Sequence, residues 1–213
     1  MVAETGDARE RIWVVAQEEF AAKGLAGARV DEIARRAAVN KALIYYYFKS
    51  KENLLRLIIG AFFGELLELK RTLSAGGCLQ DESHRRYVFG KIYEFLRQHK
   101  PVIRIILREM AKGETEAEEI ILLLEPVTNL FAESLSEMGF TVGPGEAKIV
   151  IQSMFFGLVP LLMYVMLEEK LAGYLGQDVD RMLAGFHEEF SVVFDSFRDR
   201  LPGGTGSICR SAG

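Results

Sequence analysis

Apolar residues recur along this chain at intervals of three and four almost from end to end, and no stretch alternates strictly between apolar and polar. That period puts successive apolar side chains on one side of a helix, whereas a half-buried strand needs a period of two. Ile12, Val15, Ala16, Phe20 and Ala21 set out the first stripe, and Gly24 stands where a left-handed stop would end it, so the pattern predicts a helix over about 8–23. Val30, Ile33, Ala34 and Ala37 form the inner face of a short second helix, about 29–37. Asn40, a residue type that caps helices well, opens a third over 40–48, and Ser50 caps a long fourth from Lys51 to about Leu73.

Gly76, Gly77, Asp81 and Ser83 break the pattern, after which helices are expected at about 82–99, 102–112, 116–138, 144–172 and 178–200. Pro101 divides the first two, Thr115 and Glu118 make a capping box for the third, and Pro126 should kink or split it. Gly139 and the segment 141–145 make the next break, with Pro144 acceptable in a first turn. Phe186, Phe190, Phe194 and Phe197 run as one aromatic stripe along the last helix. Residues 202–213 hold too little apolar area to order themselves and are expected to be a disordered tail.

Composition narrows the class of molecule. With 49% apolar and 26% charged residues and a formal charge of −4, the chain has the proportions of a globular protein. Its two cysteines, Cys78 and Cys209, offer neither a disulfide framework nor a metal-binding spacing, which fits a reducing compartment. Acids at the N-terminus where a secretory signal would carry basic residues point to the cytoplasm. Charge is uneven: residues 1–51 hold nine lysines and arginines against seven acids, leaving the other 162 residues at −6. A mildly basic head on an acidic body suits an anionic partner for the head.

Three short helices within about fifty residues, the last two joined through Ala38 and Val39, have the pattern of a helix-turn-helix. Ile33, Ala37, Val39, Ile44 and Phe48 can pack under Trp13 and Phe20 of the first helix. Lys41, Ala42, Tyr45 and Tyr46 are then left outside, because positions 41 and 45, like 42 and 46, stack on one helical face. A small residue permits close approach to base edges, and tyrosine hydroxyls can donate to phosphate oxygens. Three consecutive tyrosines cannot all enter one narrow buried stripe, so at least one must face outward.

The run from Val30 to Leu54 resembles the DNA-binding domain of the TetR family of bacterial transcriptional regulators. The likeness rests on Ile33-Ala34 in the second helix, Val39-Asn40-Lys41 entering the third, Tyr45-x-x-Phe48 ending it, and Ser50-Lys51-Glu52-x-Leu54 opening the fourth. It implies an all-α protein in which a helix-turn-helix domain, residues 1–50, precedes a regulatory and dimerisation bundle, residues 51–201. It further implies that Asn40, Lys41, Ala42, Tyr45, Tyr46 and Tyr47 belong to the DNA-facing surface, with Lys51 helping free helix amides to hold a phosphate. Two positions depart from the family's pattern. Ala38 replaces a turn glycine, so a left-handed backbone there costs about 1 kcal/mol. Ala28-Arg29 replaces a Thr/Ser pair, leaving Arg29 as a substitute phosphate contact.

In the body, residues 149–167 are apolar enough to suggest a membrane span, but Gly157 and Pro160 interrupt them and acids abut one end with no basic belt. A helix apolar all round can instead be buried on both sides in a dimer. The resemblance implies a homodimer through the last two long helices, for which Val159, Leu162, Phe186, Phe190, Phe194 and Phe197 are the candidates, and no membrane partner. It also implies a pocket for a small effector. Phe62, Phe89, Tyr93, Leu96, Met110, Phe155, Phe156, Met163 and Tyr174 would make an apolar lining, with Phe63 nearby and His99 or His187 able to orient a ligand. Each of these residues is also a candidate for plain core. No nucleophile, zinc or phosphate-loop motif occurs, so neither catalysis nor a cofactor is expected. The competing expectation is a helical hydrophobe-binding protein that does not bind DNA, Ala28 and Ala38 having removed that function.

Overall fold

The computed structural model describes residues 2–75, 81–112, 129, 151–152 and 154–198. Eight α-helices are present among them: α1 (Val2–Gly27), α2 (Val30–Arg36), α3 (Lys41–Phe48), α4 (Lys51–Ala75), α5 (Glu82–Gln98), α6 (Lys100–Lys112), α7 (Val159–Leu175) and α8 (Val179–Arg198). No strand occurs among the described residues, and the all-α class expected from the periodicity is what the chain adopts. The expected helix over 116–138, the tail and the side chains of Phe194 and Phe197 lie outside the described residues.

Helix ends follow the capping residues closely. Asn40 Oδ1 accepts from the Leu43 amide at 2.8 Å and Ser50 Oγ from the Asn53 amide at 3.0 Å, so both side chains satisfy first-turn donors that have no partner within their helices. Asp81 and Asp178 cap α5 and α8 in the same way, through Ser83 at 3.0 Å and Asp180 at 2.9 Å. Pro101 sits in the first turn of α6, where its missing N–H costs nothing. Gly176 closes α7 with a left-handed φ of 62°, and the Gln177 amide folds back to Ala172 O at 2.9 Å.

Three segments depart from the simple pattern. α1 begins at Val2 rather than near residue 8, since the sequence holds no proline or other helix breaker between Val2 and Ala8 except Gly6. Gly24 has the expected positive φ (71°, with ψ 176°), yet helical structure resumes and ends at Gly27. Before α7, residues Met154–Leu158 widen into a π-helical turn instead of continuing an α-helix. Pro160 is the cause: it offers no N–H and its ring crowds the carbonyl four residues back, at Phe156.

The chain forms two compact units, each with its own core. The first comprises described residues 2–64 and 99–112. Phe20, Ile33 and Phe48 are 0% exposed there, with Ala37 and Ile44 at 1%, and the Trp13 ring lies 6.3 Å from that of Phe48. This is the anchor expected for a helix-turn-helix. The unit is larger than the expected 1–50 head, because α6 packs against α1 and the first half of α4 adds buried Leu54, Leu55, Ile58 and Ile59.

α6 also repairs the break at Gly24. Arg108 Nη1 donates to Ala22 O at 2.7 Å, and the Leu25 amide donates to Glu109 Oε1 at 3.1 Å, so the carbonyl and the amide released by the kink both find partners. Glu109 is fully buried and paired with Lys112 Nζ at 2.6 Å. A Cβ at position 24 would stand 2.9 Å from Glu109 Oε1, so glycine is required there by space as well as by φ. In the second unit, Leu161, Leu162, Tyr164 and Val165 of α7 are buried, as are Tyr93 and Leu96 of α5. The Phe89 ring lies 4.5 Å from His187 and 5.7 Å from Phe190. Burial lowers the pKa of His187 by disfavouring its charged form.

Ala38 adopts φ 52° in the turn between α2 and α3. Glycine loses nothing sterically in that region, although it gives the unfolded chain more freedom. Ala38→Gly should therefore raise stability by up to about 1 kcal/mol, read as a higher urea midpoint with unchanged slope. A lower midpoint contradicts the left-handed turn.

Candidate nucleic-acid interface

α3 has eight residues, and its fully buried ring and aliphatic side chain, Phe48 and Ile44, fix which face is left over. That face carries exposed Lys41 and Ala42, with Tyr45 at 43% and Tyr46 at 70% exposed. Tyr47 is half-buried, its ring edge-on to Tyr46 at 5.2 Å and to Phe48 at 6.1 Å. The three tyrosines thus divide as their angular spacing requires: two point to solvent and one lies along the edge of the buried stripe.

The cations around this face are held in different ways. Lys41 Nζ pairs with Asp31 of α2 at 2.8 Å, and that hydrogen bond raises the lysine pKa. Both side chains are exposed, so a phosphate can replace the carboxylate at little cost. Arg29 is exposed at the start of α2 and makes no side-chain cap hydrogen bond. Lys51 occupies the first turn of α4, where its Nζ donates to Ala28 O at 3.3 Å and ties α4 to the entry of α2. Arg35 and Arg36 are engaged elsewhere, with Glu32 at 2.6 Å and with Glu18 and buried Glu19 of α1 respectively.

Lys49 escaped the sequence reasoning. It has φ 67° and ψ −50°, and the Ser50 amide reaches back to Phe48 O at 2.8 Å, which makes a tight three-residue γ-turn between α3 and α4. Its Nζ donates to Tyr46 O at 3.2 Å and stands 6.0 Å from the centre of the Tyr46 ring. A lysine with positive φ carries no signature in the sequence, since residues that adopt such turns readily are glycine and asparagine.

The site thus consists of a short capped helix with an outward tyrosine and lysine face, braced by a helix-turn-helix core. Residues 12–58 match the sequence profile of the bacterial regulatory proteins, tetR family. That segment, the head with its helix-turn-helix, carries the DNA-binding domain of the TetR family. It is 32% identical over 109 residues to the HTH-type transcriptional repressor SCO4008 of Streptomyces coelicolor, covering 51% of this chain and 53% of that protein. It is 22% identical to the HTH-type transcriptional regulator YuxN of Bacillus subtilis over 63% of this chain and 57% of that protein. The chain therefore spans only about half the length of these relatives. By fold it is similar to the fatty acid degradation regulator FadR of Bacillus halodurans, with a TM-score of 0.64 at 20% identity over 85% of this chain and 97% of that one. A TerR/AcrR-family transcriptional regulator of Aquifex aeolicus gives 0.63 at 22% identity, over 87% and 99% of the two chains.

Outside the TetR-family head, the expected body residues divide. Phe62 and half-buried Met110 belong to the first unit, and Phe62 is 2% exposed. Phe63 is buried in the same unit, where the His99 ring stands 5.7 Å from Phe62. In the second unit Tyr93 and Leu96 are buried and Phe89 is half-buried. Phe155, Phe156, Met163 and Tyr174 are exposed by 64, 42, 41 and 86%, so within one chain they do not line an interior. The π-helical turn re-aims the first pair, and the other two lie on the face of α7 opposite Leu161, Val165 and Glu168.

The expected dimer residues divide in a similar way. Leu162 is buried within its own unit, Val159 is half-buried, and Phe186 and Phe190 turn toward Phe89 and Tyr164 rather than outward. Among the described residues, the large apolar side chains that do face outward on α7 and α8 are Met163, Leu167, Leu171, Tyr174, Leu175, Val192 and Val193. Among the described residues, no helix is long and apolar enough to cross a membrane.

Tyr46 makes no buried contact that stability depends on. Tyr46→Ala should leave the melting temperature within about two degrees of the parent, since such surface changes stay within about 0.5 kcal/mol. The same change should weaken duplex binding about tenfold or more in a mobility-shift titration. Unchanged affinity would remove this face from the interface.

Proposed function

We propose that this protein is a ligand-responsive transcriptional repressor that acts in the cytoplasm as a homodimer on a pseudo-palindromic operator. The observation that carries the proposal is the outward face of α3, where Tyr45, Tyr46, Ala42 and Lys41 project beyond a fully buried anchor. Such a helix fits the major groove, which is wide enough to admit it and carries a distinct donor and acceptor pattern for each base pair. Asn40, Tyr47, Lys49, Lys51 and Arg29 flank that face and supply backbone contacts, which fix register without reading sequence. The name of the relative SCO4008, a transcriptional repressor, supports the sign of the regulation.

The homodimer reading rests on the exposed stripe of α7. Met163, Leu167 and Leu171 follow each other at intervals of four, with exposures of 41, 38 and 37%, and Val192 and Val193 of α8 are exposed by 60 and 40%. A run of this kind is the expected face for a second copy. The two recognition helices of a dimer would enter grooves about 34–36 Å apart, or a multiple of a turn. The second unit is the effector-binding body in this reading, and a ligand that favours one arrangement of the heads would change operator affinity by about 1–3 kcal/mol of coupling.

Binding of purified full-length chain to a genomic fragment library tests the proposal. Affinity for the enriched fragment should fall steeply with salt, because phosphate contacts release counterions. Leu167→Glu should convert a dimer of about 48 kDa, twice 23.9 kDa, into monomers with much weaker operator affinity. Retention of a tight dimer removes the α7 interface, and equal affinity for all fragments at every salt concentration removes the operator.

A further inference from the structure

Glu168 of α7 is 0% exposed, in the middle of the second unit. Tyr93 of α5 donates its hydroxyl to Glu168 Oε2 at 2.5 Å, and Arg97 Nε approaches Oε1 at 3.4 Å. The arginine side chain is 48% exposed, so a cation reaches this buried acid from the solvent side. One helical turn before Glu168, on the same face of α7, Tyr164 is 6% exposed, and its hydroxyl has no hydrogen-bond partner among the described residues. The Tyr164 ring stacks on Phe186 at 4.1 Å and 15°, and lies 6.3 Å from the ring of Tyr93. A buried polar atom left unmatched is uncommon in a native fold and calls for a partner supplied from outside.

The chemistry of these groups selects a class of partner. A carboxylate accepts hydrogen bonds only, a phenol oxygen can accept one more, and the aromatic rings around them favour positive charge over their faces. Burial and the neighbouring carboxylate raise the pKa of the Tyr164 phenol and keep it neutral. We infer that this cluster binds the protonated amine of a small apolar molecule, whose ammonium donates to Glu168 and to the Tyr164 oxygen in place of the Arg97 guanidinium. The inference rests on the reading of the second unit as an effector-binding body and names the class of its effector. An alkyl carboxylate would place a second negative charge against a buried acid, and an alcohol would leave the ion pair as it stands. Arg97 is half in water already, so its displacement returns it to a solvated state at little cost.

Calorimetric titration of the full chain with decylamine, decanol and decanoate, each below its micellar concentration at pH 7, tests the assignment. Decylamine should bind about tenfold or more tightly than the other two, as a charge-assisted hydrogen bond in a dry site allows. Glu168→Gln should abolish that preference while decanol binding persists. Tyr164→Phe should weaken decylamine several-fold and leave decanol unchanged, and Arg97→Ala should tighten decylamine; these two variants carry the test if Glu168→Gln does not fold. Equal affinities, a decylamine preference that survives in folded Glu168→Gln, or tightest binding of decanoate with loss in Arg97→Ala each overturn the inference. If decanol binds without any amine preference, the cation assignment alone falls. If none of the three binds, the effector-binding reading of the body falls with it.

Discussion

Burial of Ile44 and Phe48 beneath α1 decides which side of α3 meets water, and everything proposed for the head depends on that choice. A helix of eight residues has room for one buried stripe. Once Phe48 occupies it at 0% exposure and Ile44 at 1%, Tyr45 and Tyr46 have no interior position left to take. The pairing of Asn53 Nδ2 with Phe48 O at 2.9 Å and of Arg11 Nε with Ala37 O at 2.9 Å fastens both ends of the motif to neighbouring helices. The backbone is bent to achieve this, with positive φ at Ala38 on one side of α3 and at Lys49 on the other. Neither residue is glycine, so the conformations are maintained by packing of the motif and not by local preference.

The same unit shows how a helix can be broken without leaving polar groups exposed to apolar surroundings. Gly24 interrupts α1, and α6 supplies a guanidinium for the freed carbonyl and a buried carboxylate for the freed amide. Glu109 would be costly as an isolated charge, but Lys112 and the Leu25 amide both donate to it. The head is therefore built on α6 as well as on the three N-terminal helices, and the direction of its first helix depends on a residue more than eighty positions away.

Much of this was legible in the amino-acid sequence because helical periodicity and capping are local. The capping residues Asn40 and Ser50 sit where the structure starts α3 and α4, and Ala38 has the left-handed backbone that its replacement of a turn glycine implied. The parts that could not be read depend on distant contacts or on angular position around a helix. Phe186 and Phe190 look the same in a sequence whether they face a second copy or Phe89, and only the packing of α5 against α8 separates the two. Glu168 reads as a flanking surface charge until Tyr93 and Arg97 of α5 are placed beside it. Pro160 announced an interruption, but not that the chain would widen into a π-helical turn and carry Phe155 and Phe156 outward.

Chemical protection of bound DNA tests whether the face of α3 enters a major groove. Duplexes selected by the full-length protein from a random-sequence pool would be treated with dimethyl sulphate, which methylates guanine N7 in the major groove and adenine N3 in the minor groove. Protection of N7 positions is expected in two clusters related by dyad symmetry, about 34–36 Å or a multiple of a helical turn apart. Selection that enriches no sequence, or protection confined to adenine N3, contradicts it.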